Sequence, residues 1–255
     1  MKSAYYPLGT FVVFVLGWYA ISILFEVPAY LLPRPEAVIE RLGQDFGYLM
    51  RHAWVTTYET LGGFLLSVLI GVPLAFIIVS SSIVEKAIMP WLVLSQTFPK
   101  VALAPLIVVW FGLGIVPKIL VTFLVAFFPV VISTVVGLRS MENEMLELAR
   151  SMKASRFQIF WRFRLPLALP SLFSGLKVSV AFSVVGAVIA EWVGATEGLG
   201  YLLLTANANL DTALLFAVLA ILTVLGIVLY YAVEMFEQRL IPWHASVRLK
   251  EVPAL

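Results

Sequence analysis

Apolar residues fill most of this chain in long stretches that are separated by short polar segments. A helix needs about 20 consecutive, mainly apolar residues to cross the hydrocarbon core of a bilayer. The pattern predicts six such spans, at 7–25, 54–79, 88–113, 116–138, 171–193 and 212–235. We therefore expect an all-α membrane protein with six transmembrane helices.

A different pattern occupies the segment between the first two spans. Over 36–49, Val38, Leu42 and Phe46 recur on one helical face while the intervening positions are mostly polar. This period predicts an amphipathic helix outside the membrane core. Because no internal repeat is visible, we expect one transmembrane domain over 1–255, with a core at 54–243 and the first span and external helix in 1–53.

The third apolar stretch is interrupted by the polar segment 95–100, which contains Pro99 and Lys100. Proline removes a backbone donor, and a lysine in lipid is unfavourable. Irregular backbone at membrane depth is tolerated where protein or a watery cavity surrounds it. The segment is thus a candidate pathway lining, and a simple proline kink with Lys100 reaching an interface is equally compatible.

The amino-acid composition excludes several classes of function. The chain is 62% hydrophobic and 13% charged, whereas soluble domains carry about 25% charged residues. It has no cysteine, which excludes disulfides, thiolate metal sites and thiol nucleophiles. A net charge of +2 gives no basis for nucleic acid binding. His52 and His244 are predicted near opposite membrane faces, so we expect no metal site and no catalytic residues.

The distribution of basic residues predicts the orientation, because cytoplasmic loops carry an excess of Lys and Arg. If the N-terminus is cytoplasmic, the outer segments hold only Arg34, Arg41, Arg51 and Lys118. The inner segments then hold Lys2, Lys86, Arg139, Arg150, Lys153, Arg156, Arg162, Arg164, Arg239, Arg248 and Lys250. Both termini are therefore predicted to be cytoplasmic.

The longest predicted cytoplasmic connection, 139–164, contains a short amphipathic helix. Glu147, Arg150, Ser151 and Ala154 share one polar face, and Met145, Leu148 and Met152 form an apolar face. Such a helix suits docking into a groove of a soluble partner. It equally suits a position along the lipid head groups, and the residues alone leave the two open.

This connection resembles the cytoplasmic "EAA" loop of binding-protein-dependent ABC importer permeases. Glu147 and Ala149 match its start, and Leu165-Pro166 matches its close, whereas Lys153 stands at the usual glycine. In that family the loop is a coupling helix that docks into an ATPase. The resemblance places the ATPase contact at Glu147, Leu148, Ala149, Met152, Lys153, Ala154 and Ser155. Lysine resists the left-handed turn that glycine permits, so the turn is an open question.

Further motifs narrow the resemblance to the nitrate, taurine, sulfonate and thiamine-precursor branch. They are the segments 101–106, 110–112, 154–156, 190–195 and 198–201. Thr57-Tyr58-Glu59, 95–99 and 206–208 resemble permeases for hydroxymethylpyrimidine-type thiamine precursors or riboflavin most closely. A thiamine pyrimidine precursor is therefore the expected solute, and nitrate, sulfonate, taurine or riboflavin are alternatives. A secondary transporter is the remaining alternative from physics alone.

The resemblance also implies a fold and partners. We expect a MetI-like permease in a bacterial inner membrane, in contact with lipid, with a second permease copy and an extracytoplasmic solute-binding protein. No phosphate-binding Gly-Lys-Ser/Thr loop is present. ATP and Mg²⁺ are thus expected at separate ATPase subunits, and no cofactor on this chain.

Ionisable and aromatic residues near the spans are candidates for a pathway or gate, since intramembrane charges are functional by default. These candidates are Tyr58, Glu59, Gln96, Thr97, Phe98, Glu191 and Trp192. Glu59 is expected to meet solute or to pair with Arg51 or His52. Glu191 is expected to form a salt bridge in the wall or to build an outer gate. We expect Lys177 to extend to an interface.

Overall fold

A computed structural model describes residues 5–243, including every side chain in that range except those of Tyr5, Pro7, Leu8 and Arg156. Helices make up nearly all of this range, and it contains no strand. The helices are α1 (Tyr5–Leu24), α2 (Pro35–Gln44), α3 (Phe46–Ser80), α4 (Ser82–Thr97), α5 (Lys100–Phe111), α6 (Ile115–Arg139), α7 (Asn143–Ser151), α8 (Arg156–Ile159), a π-helical turn (Phe160–Arg164), α9 (Leu165–Trp192), α10 (Leu199–Ala208) and α11 (Thr212–Leu240).

Four helical stretches among residues 5–243 are long and apolar enough to cross a membrane: α3, α6, Phe157–Trp192 and α11. The α4–α5 pair makes a fifth span if it is counted as one broken segment. The apolar part of α1, Gly9–Leu24, is shorter than this measure of a span. The prediction of an all-α membrane protein is confirmed, while the sixth span stays a prediction.

Three long helices, α3, α6 and α9, form the centre of the bundle, where small residues let the backbones approach closely. A Cβ at Gly186 of α9 would lie 2.9 Å from Thr122 Cα, and one at Gly175 would lie 3.0 Å from the Pro129 carbonyl oxygen. These contacts make α6 and α9 antiparallel. They also place the C-terminal end of α6 and the start of α9 together at one end of the bundle, beside α7.

The opposite end of the bundle is built around α10, which packs between α3 and α11. Leu199, Leu202 and Ala206 of α10 are buried against Leu49 of α3 and Val218 of α11. Nearby, Arg41 of α2 pairs with Asp211 at 2.9 Å and so ties the amphipathic helix to the start of α11. We call these two ends the α7 end and the α10 end.

Several sequence predictions need correction. The amphipathic helix ends at Gln44 rather than at residue 49, because the chain turns at Asp45 and then enters α3. The segment 194–211, predicted to be a loop, contains α10. The fifth span starts well before residue 171, since Pro166 lies in the first turn of α9, where a missing N–H is tolerated.

Lys177 does not extend to an interface as predicted. Its ammonium group pairs with the Glu237 carboxylate at 2.6 Å, and Glu237 is 5% exposed. The pair joins α9 to α11 near the α7 end of the bundle. A lone sequence offers no sign of this pairing, because the two residues are 60 positions apart.

Candidate functional site

The broken span formed by α4 and α5 bends by 97° between Thr97 and Lys100. Pro99 causes the break, because its ring fixes φ and drives the preceding Phe98 into the extended region, where φ is −75° and ψ is 128°. The Thr97 and Ser95 hydroxyls donate to carbonyls of their own helix, at 2.8 and 2.7 Å. These bonds satisfy part of the free helix end.

The bend borders an open cavity of about 600 Å³ between α4, α5 and α6. Its walls are mainly apolar, and five aromatic side chains contribute to them: Trp91, Phe98, Phe123, Phe127 and Phe128. The Phe123 and Phe127 rings lie 5.1 Å apart between centroids. Pockets for small molecules have this size, with aromatic walls and a few polar groups.

Lys100 is the charged residue that lines this cavity, and Ser95 supplies a hydroxyl. Lys100 is partly buried, and within residues 5–243 no carboxylate lies in salt-bridge range of its ammonium group. A partly desolvated ammonium group without a counterion attracts a hydrogen-bond acceptor or an anion. The cavity thus combines flat aromatic walls with one strong donor.

A second cavity of about 280 Å³ continues from the same break toward α9. Gln96, Phe98 and Lys100 line it, together with Phe182 and Val185. The structure therefore brings two of the three predicted pathway residues of this segment to open space. Thr97 is exposed and bonds only within its own helix.

Glu191 lies in a closed polar network at the start of α10. It is 1% exposed, accepts a hydrogen bond from the Thr56 hydroxyl at 2.7 Å and accepts another from the Gly200 N–H. The Leu199 N–H donates to Thr56 Oγ1 at 2.8 Å, and the Gly198 N–H donates to His52 Nδ1 at 2.9 Å. The free N–H groups of α10 are thus satisfied by α3 and α9.

Position 198, immediately before α10, requires a glycine. Its φ of +120° is a conformation that residues with a side chain rarely adopt, and an added Cβ would overlap the Glu191 carboxylate. Glu191 therefore anchors α10 in this structure.

Glu59 is 0% exposed and pairs with Lys118 of α6 at 2.7 Å. Its predicted partners are engaged elsewhere, since Arg51 pairs with Glu197 at 2.5 Å and His52 holds the Gly198 N–H. The carboxyl groups of Glu59 and Glu191 are neighbours. The expected Arg51 or His52 pairing is thus wrong, because Glu59 faces α6 rather than its own helix.

The short helix α7 leaves two of the three residues of its predicted apolar face exposed, while Met145 is half-buried. Leu148 is 63% exposed and Met152 is 73% exposed, with Glu147 exposed beside them. Ala149, on the opposite side, is 2% exposed and faces the bundle. An exposed Leu–Met pair on a rigid helix is a typical partner surface.

The turn after α7 forms in spite of Lys153. This lysine has a φ of +55°, and the Ala154 N–H donates to the Ala149 carbonyl at 3.1 Å. That bond belongs to the glycine-type helix ending known as the Schellman motif. A left-handed conformation disfavours a residue with Cβ by about 1–2 kcal/mol, so surrounding contacts must offset it.

Residues 67–242 match the model of the family described as "Binding-protein-dependent transport system inner membrane component". The chain belongs to this family of ABC transporter permeases. Such permeases are non-catalytic membrane subunits of importers, and the ATPase is a separate chain. The predictions of the family, the non-enzymatic role and the MetI-like fold are therefore confirmed.

Named relatives of the permease differ in the solute that their names give. It is 36% identical to a formylaminopyrimidine transport permease of Halalkalibacterium halodurans over 95% of this chain and 98% of that one. It is 38% identical to a riboflavin permease of Chloroflexus aurantiacus, with 93% and 89% covered. It is 31% identical to a taurine permease of Escherichia coli, with 94% and 90% covered.

Among solved structures, the permease is similar to a chain of the MetNI methionine ABC transporter in an inward-facing conformation. The TM-score is 0.67 and the identity is 19%, with 77% of this chain and 97% of that chain covered. The likeness supports the fold. Family membership also makes the permease a multi-pass membrane protein.

The remaining predicted candidates are exposed side chains of α3 and α9. Tyr58 is 57% exposed on α3, and Trp192 is 46% exposed at the end of α9. Their roles in a pathway or gate stay predictions. Lys118 was missed as a functional partner, because the positive-inside count treats it as an ordinary loop cation.

Proposed function

We propose that this permease forms the pathway for a small, flat heteroaromatic solute, such as a thiamine pyrimidine precursor, in an ATP-driven importer of a bacterial inner membrane. An extracytoplasmic binding protein delivers the solute, and two ATPase subunits that hold ATP and Mg²⁺ dock on α7. A second permease copy completes the pathway. The observation that carries this proposal is the cavity at the broken span, where aromatic walls surround Lys100.

The aromatic walls favour a planar ring, because rings pack face to face or edge to face with gain beyond simple burial. Lys100 favours a carbonyl, ring nitrogen or anionic substituent on that ring. The names of the pyrimidine and riboflavin permeases agree with this chemistry.

The proposed orientation places α7 and both termini in the cytoplasm. Support comes from the basic residues at the α7 end, among them Lys86, Arg139, Arg150 and Arg162. The terminal residues Lys2, Arg248 and Lys250, which add to this bias, lie outside the described residues. With this orientation, the exposed face of α7 is available to a soluble ATPase.

The ATPase contact is tested by co-purification of the tagged permease with candidate ATPases. We expect wild type to retain an ATPase and Glu147→Arg to lose it, because the reversed charge lies beside Leu148 on the exposed face. Glu36→Arg is the matched control, since Glu36 is exposed in the first turn of α2 at the α10 end. Retention by Glu147→Arg would contradict the proposed contact.

The solute class is tested by uptake into proteoliposomes that contain the assembled transporter and its binding protein. Labelled aminopyrimidine uptake should require ATP and should be inhibited by unlabelled aminopyrimidine far more than by taurine. ATP-dependent uptake of taurine in preference to any heteroaromatic compound would overturn the proposed solute while leaving the importer role intact.

A further inference from the structure

A second, small polar cavity lies beneath α7, where the ends of the spans meet. It has a volume of about 240 Å³. Arg139 at the end of α6, Asn143 at the start of α7 and Arg164 before α9 supply its polar lining. Val79 and Leu138 complete the lining on the side of the bundle.

The side chain of Arg164 lacks a hydrogen-bond acceptor at this cavity. Its Nε is buried, and within residues 5–243 it has no hydrogen-bond partner. A buried charged donor without a partner is unfavourable, so the site is incomplete without an acceptor. This observation points to a ligand that the chain itself does not supply.

Arg139 adds a second guanidinium group in a defined position. It pairs with Glu85 of α4, which holds one side of its planar fork. A guanidinium group carries five N–H donors, so one carboxylate leaves donors available. Two arginines against one carboxylate give the cavity a net positive charge, and arginine forks match phosphate geometry.

The position of the cavity indicates that the phosphate belongs to a lipid head group rather than to a soluble molecule. It lies at the α7 end of α3 and α6, where spanning helices leave the hydrocarbon layer, and basic pockets between spans at the cytoplasmic face bind anionic head groups. A protein docked on Leu148 and Met152 would meet the exposed face of α7. The cavity instead lies on the inner side, where Leu146 is half-buried.

We propose that Arg164 and Arg139 bind the phosphate of an anionic phospholipid beneath α7. The bound lipid supplies the acceptor that Arg164 Nε lacks and links the base of α7 to the ends of the spans. This site is independent of the transported solute.

The test is native mass spectrometry of the assembled transporter in detergent, titrated with phosphatidylglycerol or phosphatidylcholine. Arg164→Gln should weaken phosphatidylglycerol binding about tenfold, because a charge-assisted bond is lost. Arg162→Gln is the matched control: it removes the same charge two residues away, from an exposed side chain that does not line the cavity. It should bind phosphatidylglycerol as wild type does.

Three outcomes would overturn the proposal. They are equal phosphatidylglycerol binding by Arg164→Gln and wild type, equal binding of phosphatidylcholine by wild type, and displacement of the lipid by millimolar inorganic phosphate, which would identify a soluble anion as the ligand. If Arg164→Gln does not fold, Arg164→Lys replaces it. This variant keeps the charge but loses the fork, so it should bind phosphatidylglycerol several-fold more weakly, and unchanged binding would again refute the site.

Discussion

Two of the polar regions within the apolar bundle differ in how their charges are satisfied. At the α10 end, Glu59 pairs with Lys118, and Glu191 holds the N-terminus of α10. At the broken span, Lys100 faces a cavity, and no carboxylate within residues 5–243 pairs with it. Charged residues inside membrane proteins pair with one another or mark solute and ion pathways, so we interpret the first region as structural and the second as functional.

The region at the α10 end, which we call the closed region, gives Glu191 a structural role. Its position inside the membrane is therefore not by itself evidence for a gate. Its carboxyl group bonds to the Thr56 hydroxyl and to the Gly200 N–H of α10, and the Glu59 carboxyl group lies beside it. The region at the broken span, which we call the open region, differs in character. Lys100 has no assigned acceptor there within residues 5–243, and the aromatic walls suit a planar solute ring. Substitutions in the closed region should therefore change stability, whereas those in the open region should change transport.

The largest effect is expected for Lys118→Met. It leaves the buried Glu59 and Glu191 carboxyl groups side by side without a cation, and breaking a buried pair costs about 3–5 kcal/mol. Chemical unfolding in detergent measures this loss, with Lys86→Met as the matched control at an exposed site. Equal unfolding free energies for the two variants would break the distinction between the regions.

A second substitution, Glu59→Met, sharpens that result. In the Lys118→Met background it removes one of the two carboxylates, and replacing both members of a buried pair by apolar residues is often nearly neutral. The double variant should therefore regain part of the stability lost by Lys118→Met. No recovery would show that Lys118 stabilises the bundle by other means than its pairing with Glu59.

A smaller effect is expected for Thr56→Val, which removes the acceptor for the Leu199 N–H and a donor to Glu191. Leaving such buried groups unpaired costs about 1–3 kcal/mol. The control is Thr57→Val, because within residues 5–243 the Thr57 hydroxyl donates to the Ala53 carbonyl of its own helix, at 2.7 Å, and to no other helix. Amide hydrogen exchange at 198–200 should accelerate in Thr56→Val and not in Thr57→Val.

The smallest effect on stability is expected for Lys100→Met. Its ammonium group makes no ion pair within the described part of the chain, so the unfolding free energy should change by no more than about 0.5 kcal/mol. Unfolding under the same conditions as for Lys118→Met provides the measurement. A loss as large as that of Lys118→Met would show that Lys100 has a structural partner.

Features that depend on local sequence were predictable from the sequence. Hydropathy located the four long apolar helices but missed the N-terminal turns of α3 and α9, and Pro99 marked the break between α4 and α5. The exposed apolar face of α7 followed from the spacing of Leu148 and Met152. Each of these features is set by residues only a few positions apart.

Features that depend on distant residues were not predictable. The N-terminus of α10 has no capping side chain of its own, because His52, Thr56 and Glu191 satisfy its N–H groups from other helices. A glycine-containing segment without a local cap therefore looked like a loop. The pairings of Glu59 with Lys118 and of Lys177 with Glu237 likewise join separate helices.

The most direct test of the account is ATP-driven uptake by proteoliposomes that contain the transporter with Lys100→Met, compared with wild type. The open region should carry the solute, so uptake at subsaturating solute should fall about tenfold or more with the loss of a charge-assisted bond, while assembly with the ATPase is retained. Uptake equal to that of wild type would contradict the assignment of the Lys100 cavity to the pathway.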